Sequence, residues 1–478
     1  MQKIAQEKAL NGQSAIFISV YDGDIEKNFL RSGVLARVLA EGINVVLLVR
    51  AKANSPRAAY YMDNFSAPGV TVEIMEPAMT TAERYWYHLS WNSLPTRSSY
   101  VKRHDLYLRH KKHVRYALEQ MAWYLGHTRT WRELLRFIYK LIPDTYGDSL
   151  FIKYKPVLLF APNMFSAEDC RLIKTAQRHG VQTLTTMKSW DVPTTRGFTR
   201  VRADRILTFN EINKAETIAI GDYSAEKVHV IGFPQFDMYA RPETFVSREE
   251  FFKKIGADPS RKLVLFAAPG DFKNPFTHEI LSLLDDAISD GRITENIQIL
   301  ARFHPKYPST AEQLSNLKNV IKDRPGTYFS KKVEKALDAP QEMTFEWTFT
   351  DADLIHLANS IKHSDITINT ESTMTLDAAA NDKPVVLVGF DGNQKLDFWQ
   401  SVIRNYGREH LQAVLKTEGA RLAHDGDELI ASINTYLAAP ETDAAGRARI
   451  RSELLFNVDG KAAIRVADHV IDMAKHAA

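Results

Sequence analysis

The stretch Ile366–Gly389, ITINTESTMTLDAAANDKPVVLVG, constrains the fold more than any other part of the chain. Ile366–Ile368 reads as a strand, Asn369–Thr373 as a tight polar turn, Met374–Asn381 as a helix and Pro384–Val388 as the next strand. A strand–helix–strand unit of this kind belongs in a parallel sheet. A turn that ends a strand and opens a helix presents backbone N–H groups at the positive end of the helix dipole, which suits a phosphate. Ser372 and Thr373 can add hydroxyl donors, and Asp377, one helical turn on, could reach a ribose hydroxyl. The same residues also fit an ordinary βαβ unit with a Ser/Thr cap.

The rest of the chain repeats this alternation. Ser14–Val20, Ile43–Val49 and Val70–Ile74 read as strands, with a helix expected over Asn28–Glu41. Pro156–Phe160, Val181–Thr185, Arg205–Thr208 and Lys227–Ile231 continue the series, separated by helical patterns or polar loops. After Gly232-Phe233-Pro234 the pattern restarts with Lys262–Ala268 and Ile297–Phe303. With 478 residues, the chain is too long for one core. The expectation is an α/β protein of two Rossmann-like domains facing each other across a cleft. The first spans residues 1–240 with a basic helical insertion at about 80–145, the second spans 241–440, and a helical tail covers 441–478. The absence of G-x-G-x-x-G argues against a standard dinucleotide site, and there is no P-loop, G-x-S-x-G or H-E-x-x-H.

The insertion differs in character. Between Arg97 and Lys140 there are eleven Lys/Arg, four His and only three Asp/Glu, interleaved with aromatic residues. Val114, Ala117, Leu118, Met121 and Leu125 recur at helical spacing. One or two basic amphipathic helices are expected. They would either meet anionic lipid headgroups or an anionic acceptor, or form a helical layer with solvated basic faces. The formal net charge of +3 is too small to imply nucleic acid as a partner. The single cysteine, Cys170, permits no intrachain disulfide and follows Glu168 and Asp169, so it reads as inert. No apolar run is long enough to span a membrane and the N-terminus lacks an apolar signal core, so a cytoplasmic protein is expected.

A second informative motif is RFHPKYP, Arg302–Pro308, where Pro305 ends a strand. Arg302 and Lys306 offer charge and His304 a directional donor, together suited to a pyrophosphate. Asp351-Ala352-Asp353 has the form of a metal-binding D-x-D, but Thr350 precedes it and Asp353 falls three residues later, which favours a capping box. No His/Cys/Asp cluster has zinc spacing. If the cleft transfers a glycosyl group, an acceptor hydroxyl needs a base. Asp22, Asp24, Glu26 and Asp191 from the first half, and Glu371 from the second, are the candidates.

Arg302–Pro308 and the turn–helix TESTMTLDAAANDKP resemble the paired donor-site motifs of GT-B transferases. The resemblance is to the CDP-glycerol glycerophosphotransferase-like and bacterial surface-polysaccharide branches, related to the non-hydrolysing UDP-N-acetylglucosamine 2-epimerases. The shared pattern is His304-Pro305, then Glu371-Ser372-Thr373, then Asp377, then Lys383-Pro384. NFLRSG (28–33), SWDVPTTRG (189–197), GFPQFD (232–237) and NVDGKAAIRVADHV (457–470) are similar to stretches of the same group. Thr370 stands where the glycerophosphotransferases carry an aspartate, and the epimerase turn has glycines where Ser372 and Thr373 stand.

The resemblance implies a metal-independent glycosyltransferase of polysaccharide or glycolipid synthesis in the bacterial cell envelope. It would hold no permanent cofactor and would use a UDP-, CDP- or CMP-linked donor. Arg302, His304, Lys306, Thr370, Ser372 and Thr373 would bind the donor phosphates and Asp377 the ribose. His304 would stabilise the leaving nucleotide, and Glu371 or Asp191 would act as base. A glycan or lipid-linked acceptor would bind the first domain, with residues 97–140 in peripheral contact with the inner membrane. A CDP-glycerol-type glycerophosphotransferase, a UDP-sugar 2-epimerase and a non-catalytic carbohydrate-assembly protein are the alternatives.

Overall fold

The computed structural model describes residues 15–77, 79–269, 275–304, 314, 316–329 and 347–477. The chain divides into two compact units: Met1–Gln235 with Lys461–Ala478, and Phe236–Gly460. Each is built on a parallel sheet, as the alternation predicts.

In the first unit the strands are β1 (Ala15–Val20), β2 (Asn44–Arg50), β3 (Val70–Met75), β4 (Leu158–Ala161), β5 (Gln182–Thr185), β6 (Arg205–Thr208) and β7 (Val228–Val230). They form a seven-stranded sheet in the order β3-β2-β1-β4-β5-β6-β7, paired in parallel throughout. Every residue of β1 and β4 is buried, because helices cover both faces. Phe17, Val46, Leu159, Leu172 and Ile173 share one core with Cys170, whose thiol burial pushes up to about 11. Strand order reverses between β1 and β4, so the loops after these strands flank the switch point where open sheets of this type take ligands.

The helix expected over Asn28–Glu41 is interrupted. A single π-helical turn covers Glu26–Leu30 and α1 begins only at Val34, because Gly33 sits in the left-handed region at φ 107°. After α2 (Thr81–Asn92), the basic stretch forms three helices instead of one or two: α3 (Arg97–His110), α4 (His113–Gly126) and α5 (Arg129–Leu141). Two of its arginines are structural. Arg132 Nη2 and Arg136 Nη1 each lie 2.7 Å from the buried carboxylate of Asp222. The basic surface of the insertion is smaller than the residue count implies. A further helix, α6 (Ala167–Arg178), follows β4.

The second unit contains β8 (Lys262–Ala268), β9 (Ile297–Phe303), β10 (Val320–Asp323), β11 (Thr327–Tyr328), β12 (Trp347–Thr348), β13 (Ile366–Asn369), β14 (Val385–Val388) and β15 (Arg421–Ala423). Its main sheet runs β10-β9-β8-β13-β14-β15, with β11 and β12 forming a separate antiparallel pair. The switch point lies between β8 and β13. Helix α7 (Asp351–His363) opens with the expected capping box between Thr350 and Asp353. Helix α8 (Met374–Ala380) follows β13.

The tail is not a single appendage. Ala444–Arg449 and the π-helical turn Ile450–Leu454 belong to the second unit, where buried Arg447 bonds Asp382 at 3.0 Å. The last helix, α9 (Ala462–Ala477), belongs to the first unit. There Asp468 pairs with Arg37 of α1 at 2.7 Å and Asp472 with Arg205 at 2.8 Å.

Candidate functional site

The turn after β13 stands at the carboxyl edge of the second sheet, beside its switch point. Asn369 holds it from within: its Oδ1 accepts the Ser372 N–H at 3.1 Å, and its side chain meets Thr375 Oγ1 at 3.1–3.2 Å. Ser372 Oγ accepts the Met374 N–H at 3.2 Å. The turn therefore uses two of the amides that its sequence offered to a phosphate, a correction that follows from Ser372 acting as a local cap. Thr370 differs. Its side chain is buried, and its Oγ1 has no hydrogen-bond partner. Native proteins rarely leave such a hydroxyl unanswered, which makes Thr370 a candidate for contact with a polar ligand group.

Glu371 adopts φ 45°, a left-handed conformation uncommon outside glycine and asparagine. Its carboxylate lies 3.1 Å from Arg408 Nη1. Arg408 also donates to Asn405 at 2.7 Å. Asp377, buried in α8, accepts the Tyr239 hydroxyl at 2.6 Å. Burial and the adjacent Asp377 carboxylate push the Tyr239 phenol well above its ordinary range, while the Arg302 guanidinium pulls the other way.

Arg302, His304 and the β13 turn share one edge of the sheet. β9 and β13 flank β8, so their ends stand about 10 Å apart. Arg302 is buried in an ion pair with Asp323, its register partner on β10. Burial would raise the Asp323 carboxyl, but His356 at 3.1 Å and Arg302 hold it below its usual range. Arg302 is therefore less available to a phosphate than the motif suggested. His304, one residue past β9, lies with its ring edge-on to Trp347, centroids 6.3 Å apart. Lys306 and the loop after β8 centred on Asp271 lie outside the described residues.

The first sheet also carries a polar edge. Asp22, just after β1, accepts the Ile25 N–H at 3.2 Å and pairs with Lys188 Nζ at 3.1 Å. Burial alone would raise its pKa; Lys188 holds it below the ordinary value. Glu26 is fully buried and accepts from Arg31, Tyr60 and Tyr61 at 2.7–2.8 Å. Both acids are engaged, which argues against either as a base. Asp191 precedes the short helix Val192–Thr195 without a side-chain cap bond, and its Oδ2 accepts the Thr195 hydroxyl at 3.2 Å. It lies in the first unit and Glu371 in the second, so the two expected bases belong to different units.

Two acids noted in the sequence only as the neighbours of Cys170 sit at the start of α6. Burial pushes Asp169 up to about 7, against hydrogen bonds from Ser19 Oγ at 2.7 Å and the Asn163 N–H at 2.9 Å. Burial pushes Glu168 up to about 8, although Arg50 Nη2 lies 3.0 Å from Oε1. Both are enclosed, and their partners Ser19, Asn163 and Arg50 lie at or beside the ends of β1, β4 and β2. Tyr239, Arg408 and Asp323 were also missed, and no local pattern marks any of them. Among the described residues there is no cluster of three or more His, Cys, Asp or Glu able to hold a metal.

No family model matches the sequence, and no curated protein matches it significantly. Solved structures do. UDP-GlcNAc 2-epimerase from Neisseria meningitidis bound to UDP-GlcNAc is 10% identical, with a TM-score of 0.53, covering 96% of this chain and 100% of that one. MnaA from S. aureus with UDP is 11% identical, with a TM-score of 0.52 over 96% of both chains. The glycotransferase of kitacinnamycin is 12% identical, with a TM-score of 0.51 over 97% of this chain and 99% of that one.

The chain has the GT-B fold. Its two parallel sheets are the two Rossmann-like domains of that fold, and the β13–α8 turn occupies the switch point of the second. Among the described residues no helix is long and apolar enough to cross a membrane.

Proposed function

We propose that the protein is a metal-independent glycosyltransferase that moves a sugar from a nucleotide-activated donor to a glycan or lipid-linked acceptor. The observation that carries this reading is the β13–α8 turn. There, a buried hydroxyl without a partner, a residue held at positive φ and a buried carboxylate meet at the switch point of a GT-B sheet. Thr370, Ser372, Thr373, His304 and Lys306 would bind the donor phosphates. Asp377, oriented by Tyr239, would take a ribose hydroxyl. A uridine nucleotide is favoured over CDP or CMP, because neighbours of this fold hold UDP or UDP-GlcNAc.

The sugar would leave its nucleotide as the acceptor oxygen attacks the anomeric carbon. Charge developing on the diphosphate would be met by the turn hydroxyls and by His304. Asp191 or Glu371 would take the acceptor proton. Of the two, Asp191 is favoured as the base, since the Glu371 carboxylate is already engaged by Arg408 at 3.1 Å.

The acceptor would be lipid-linked and the insertion would rest on an anionic bilayer. Val114, Leu118, Met121 and Leu125 on α4, and Leu134, Phe137, Ile138 and Leu141 on α5, form two exposed apolar stripes. Exposed Lys111, Lys112, Arg115, Arg129 and Lys140 accompany them, a combination that complements anionic headgroups.

A panel of UDP, CDP, CMP, GDP and ADP, read by thermal shift, tests the donor site. A nucleotide at a hundredfold excess over its dissociation constant stabilises the fold by about 2.7 kcal/mol. Stabilisation by UDP, lost in Thr370→Val, is the expected result. No response to any nucleotide at millimolar concentration would sink the reading. Turnover of a UDP-sugar without acceptor would replace it with an epimerase.

A further inference from the structure

Arg103, in the second turn of α3, is fully buried, and its Nε, Nη1 and Nη2 have no hydrogen-bond partner. It contrasts with Arg132 and Arg136 of the same insertion, which are also buried but are answered by Asp222. The nearest compensation is the ring of Trp123, 5.6 Å from the guanidinium carbon. One cation–π contact does not offset the desolvation of a whole guanidinium. Burial pushes its pKa down to about 10, so the group stays charged at neutral pH. Glu119 acts on it at a distance but is bonded to Arg115 at 2.7 Å.

The surroundings are aromatic and tied to the sheet edge. Trp123 lies 5.8 Å from the Tyr100 ring, and the Tyr116 hydroxyl meets His104 Nδ1 at 2.9 Å. Lys102 Nζ stands over Trp91 at 5.2 Å. The start of α3 and the end of α2 are anchored to the segment after Asp191: Thr96 Oγ1 donates to the Thr194 carbonyl at 2.7 Å, and Trp91 Nε1 of α2 donates to the Thr195 carbonyl at 3.1 Å. Arg103 is seven residues beyond Thr96, about 10 Å along the helix.

We propose that Arg103 anchors an oxyanion subsite in the insertion, one that binds a phosphate or diphosphate group of the acceptor. The proposal rests on the reading of the first unit as the acceptor side. A phosphate held here would leave the attached sugar directed towards the Asp191 loop. A guanidinium suits this role because its fork of donors matches two phosphate oxygens at once. Arg103 is enclosed, so an anion reaches it only when neighbouring side chains give way.

The test is calorimetric titration of the full chain with inorganic pyrophosphate, then with UDP, in wild type, Arg103→Met and Arg103→Lys. The expected result is at least a tenfold weaker pyrophosphate affinity in Arg103→Met, a smaller loss in Arg103→Lys and unchanged UDP affinity in both. Retained UDP binding shows that the variants fold and keeps this test separate from that of the donor site. Equal pyrophosphate affinity in wild type and both variants, or no binding to wild type at millimolar concentration, overturns the proposal. Vesicles of phosphatidylcholine with and without a phosphomonoester lipid identify the source. Competition for the Arg103-dependent site by the phosphomonoester vesicles alone assigns a lipid-linked phosphate. Competition by a soluble sugar phosphate but not by vesicles assigns a free one.

Discussion

The hydroxyl of Tyr239 donates to Asp377 at 2.6 Å, joining the start of the second unit to the helix after β13. If Asp377 holds the donor ribose, the phenol fixes which carboxylate oxygen is offered. Tyr239→Phe removes one hydrogen bond to a charged group and should weaken nucleotide binding by about 1.5 kcal/mol, roughly tenfold. Asp377→Ala should cost more, and a deoxyribose analogue should close the gap between wild type and mutant. Isothermal titration with UDP and its deoxy analogue checks this; equal losses with both sugars would remove Asp377 from the ribose.

Glu371 and Arg408 give a second, opposite expectation. The Arg408 guanidinium lies 3.1 Å from the Glu371 carboxylate, and Glu371 itself sits in the left-handed region at φ 45°. Glu371→Gln should keep the turn and lower transfer by less than tenfold if Asp191 is the base. Asp191→Asn should lower it by more than a hundredfold, within the range of general-base catalysis. The ratio of the two kcat losses, measured under saturating donor, decides between them.

These two sites show what could be read before folding and what could not. Strands such as Val45–Val49 and Leu263–Ala267 are continuous apolar runs, which follows directly from helices covering both faces of a parallel sheet. The strand–turn–helix at Ile366–Ala380 was legible because Asn369, Ser372 and Thr375 bond locally. Partners distant in sequence were not. Asp323 meets Arg302 only because β10 lies beside β9, and Arg408 reaches Glu371 across 37 residues. The basic insertion misled for the same reason: Arg132 and Arg136 read as solvated charge until Asp222, far along the chain, turned them into a buried network.

That network predicts a large stability effect. Asp222 is buried, sits at φ 56° and accepts Arg132 Nε at 2.8 Å as well as both short contacts above. Asp222→Ala would leave two guanidinium groups buried without their carboxylate, at a cost of about 3–5 kcal/mol. Chemical denaturation should show this as a lower midpoint. A loss below about 1 kcal/mol would mean that the insertion opens to water.

Asp169 makes stability depend on pH. Its folded pKa of about 7 lies above the ordinary carboxyl value, so the folded state binds the proton more tightly than the unfolded state does. Stability from this group is fully present below about pH 4 and is lost as pH rises through 7, on the order of 2–4 kcal/mol. Asp169→Asn, which cannot ionise, should be more stable than wild type at pH 8 and no more stable at pH 4. Melting temperatures of both proteins across that range measure the slope.

The exposed stripes on α4 and α5 predict the behaviour of the insertion at a bilayer. Phe137 and Leu141 are 62% and 64% exposed, and Val114 is 77% exposed, although each lies on a helix whose other face is packed. Water contact at these positions is unfavourable by about 1.5–3 kcal/mol per side chain relative to burial. An anionic surface offers both the apolar boundary and partners for the neighbouring Lys and Arg. Co-sedimentation should therefore be strong with phosphatidylserine vesicles, weak with phosphatidylcholine alone and reduced by salt. Phe137→Glu with Leu141→Glu should abolish sedimentation and leave UDP binding intact. Sedimentation that ignores lipid charge would reject the bilayer as the occupant, and a halved apparent mass for the double mutant in sedimentation equilibrium would assign these stripes to a second copy of the chain.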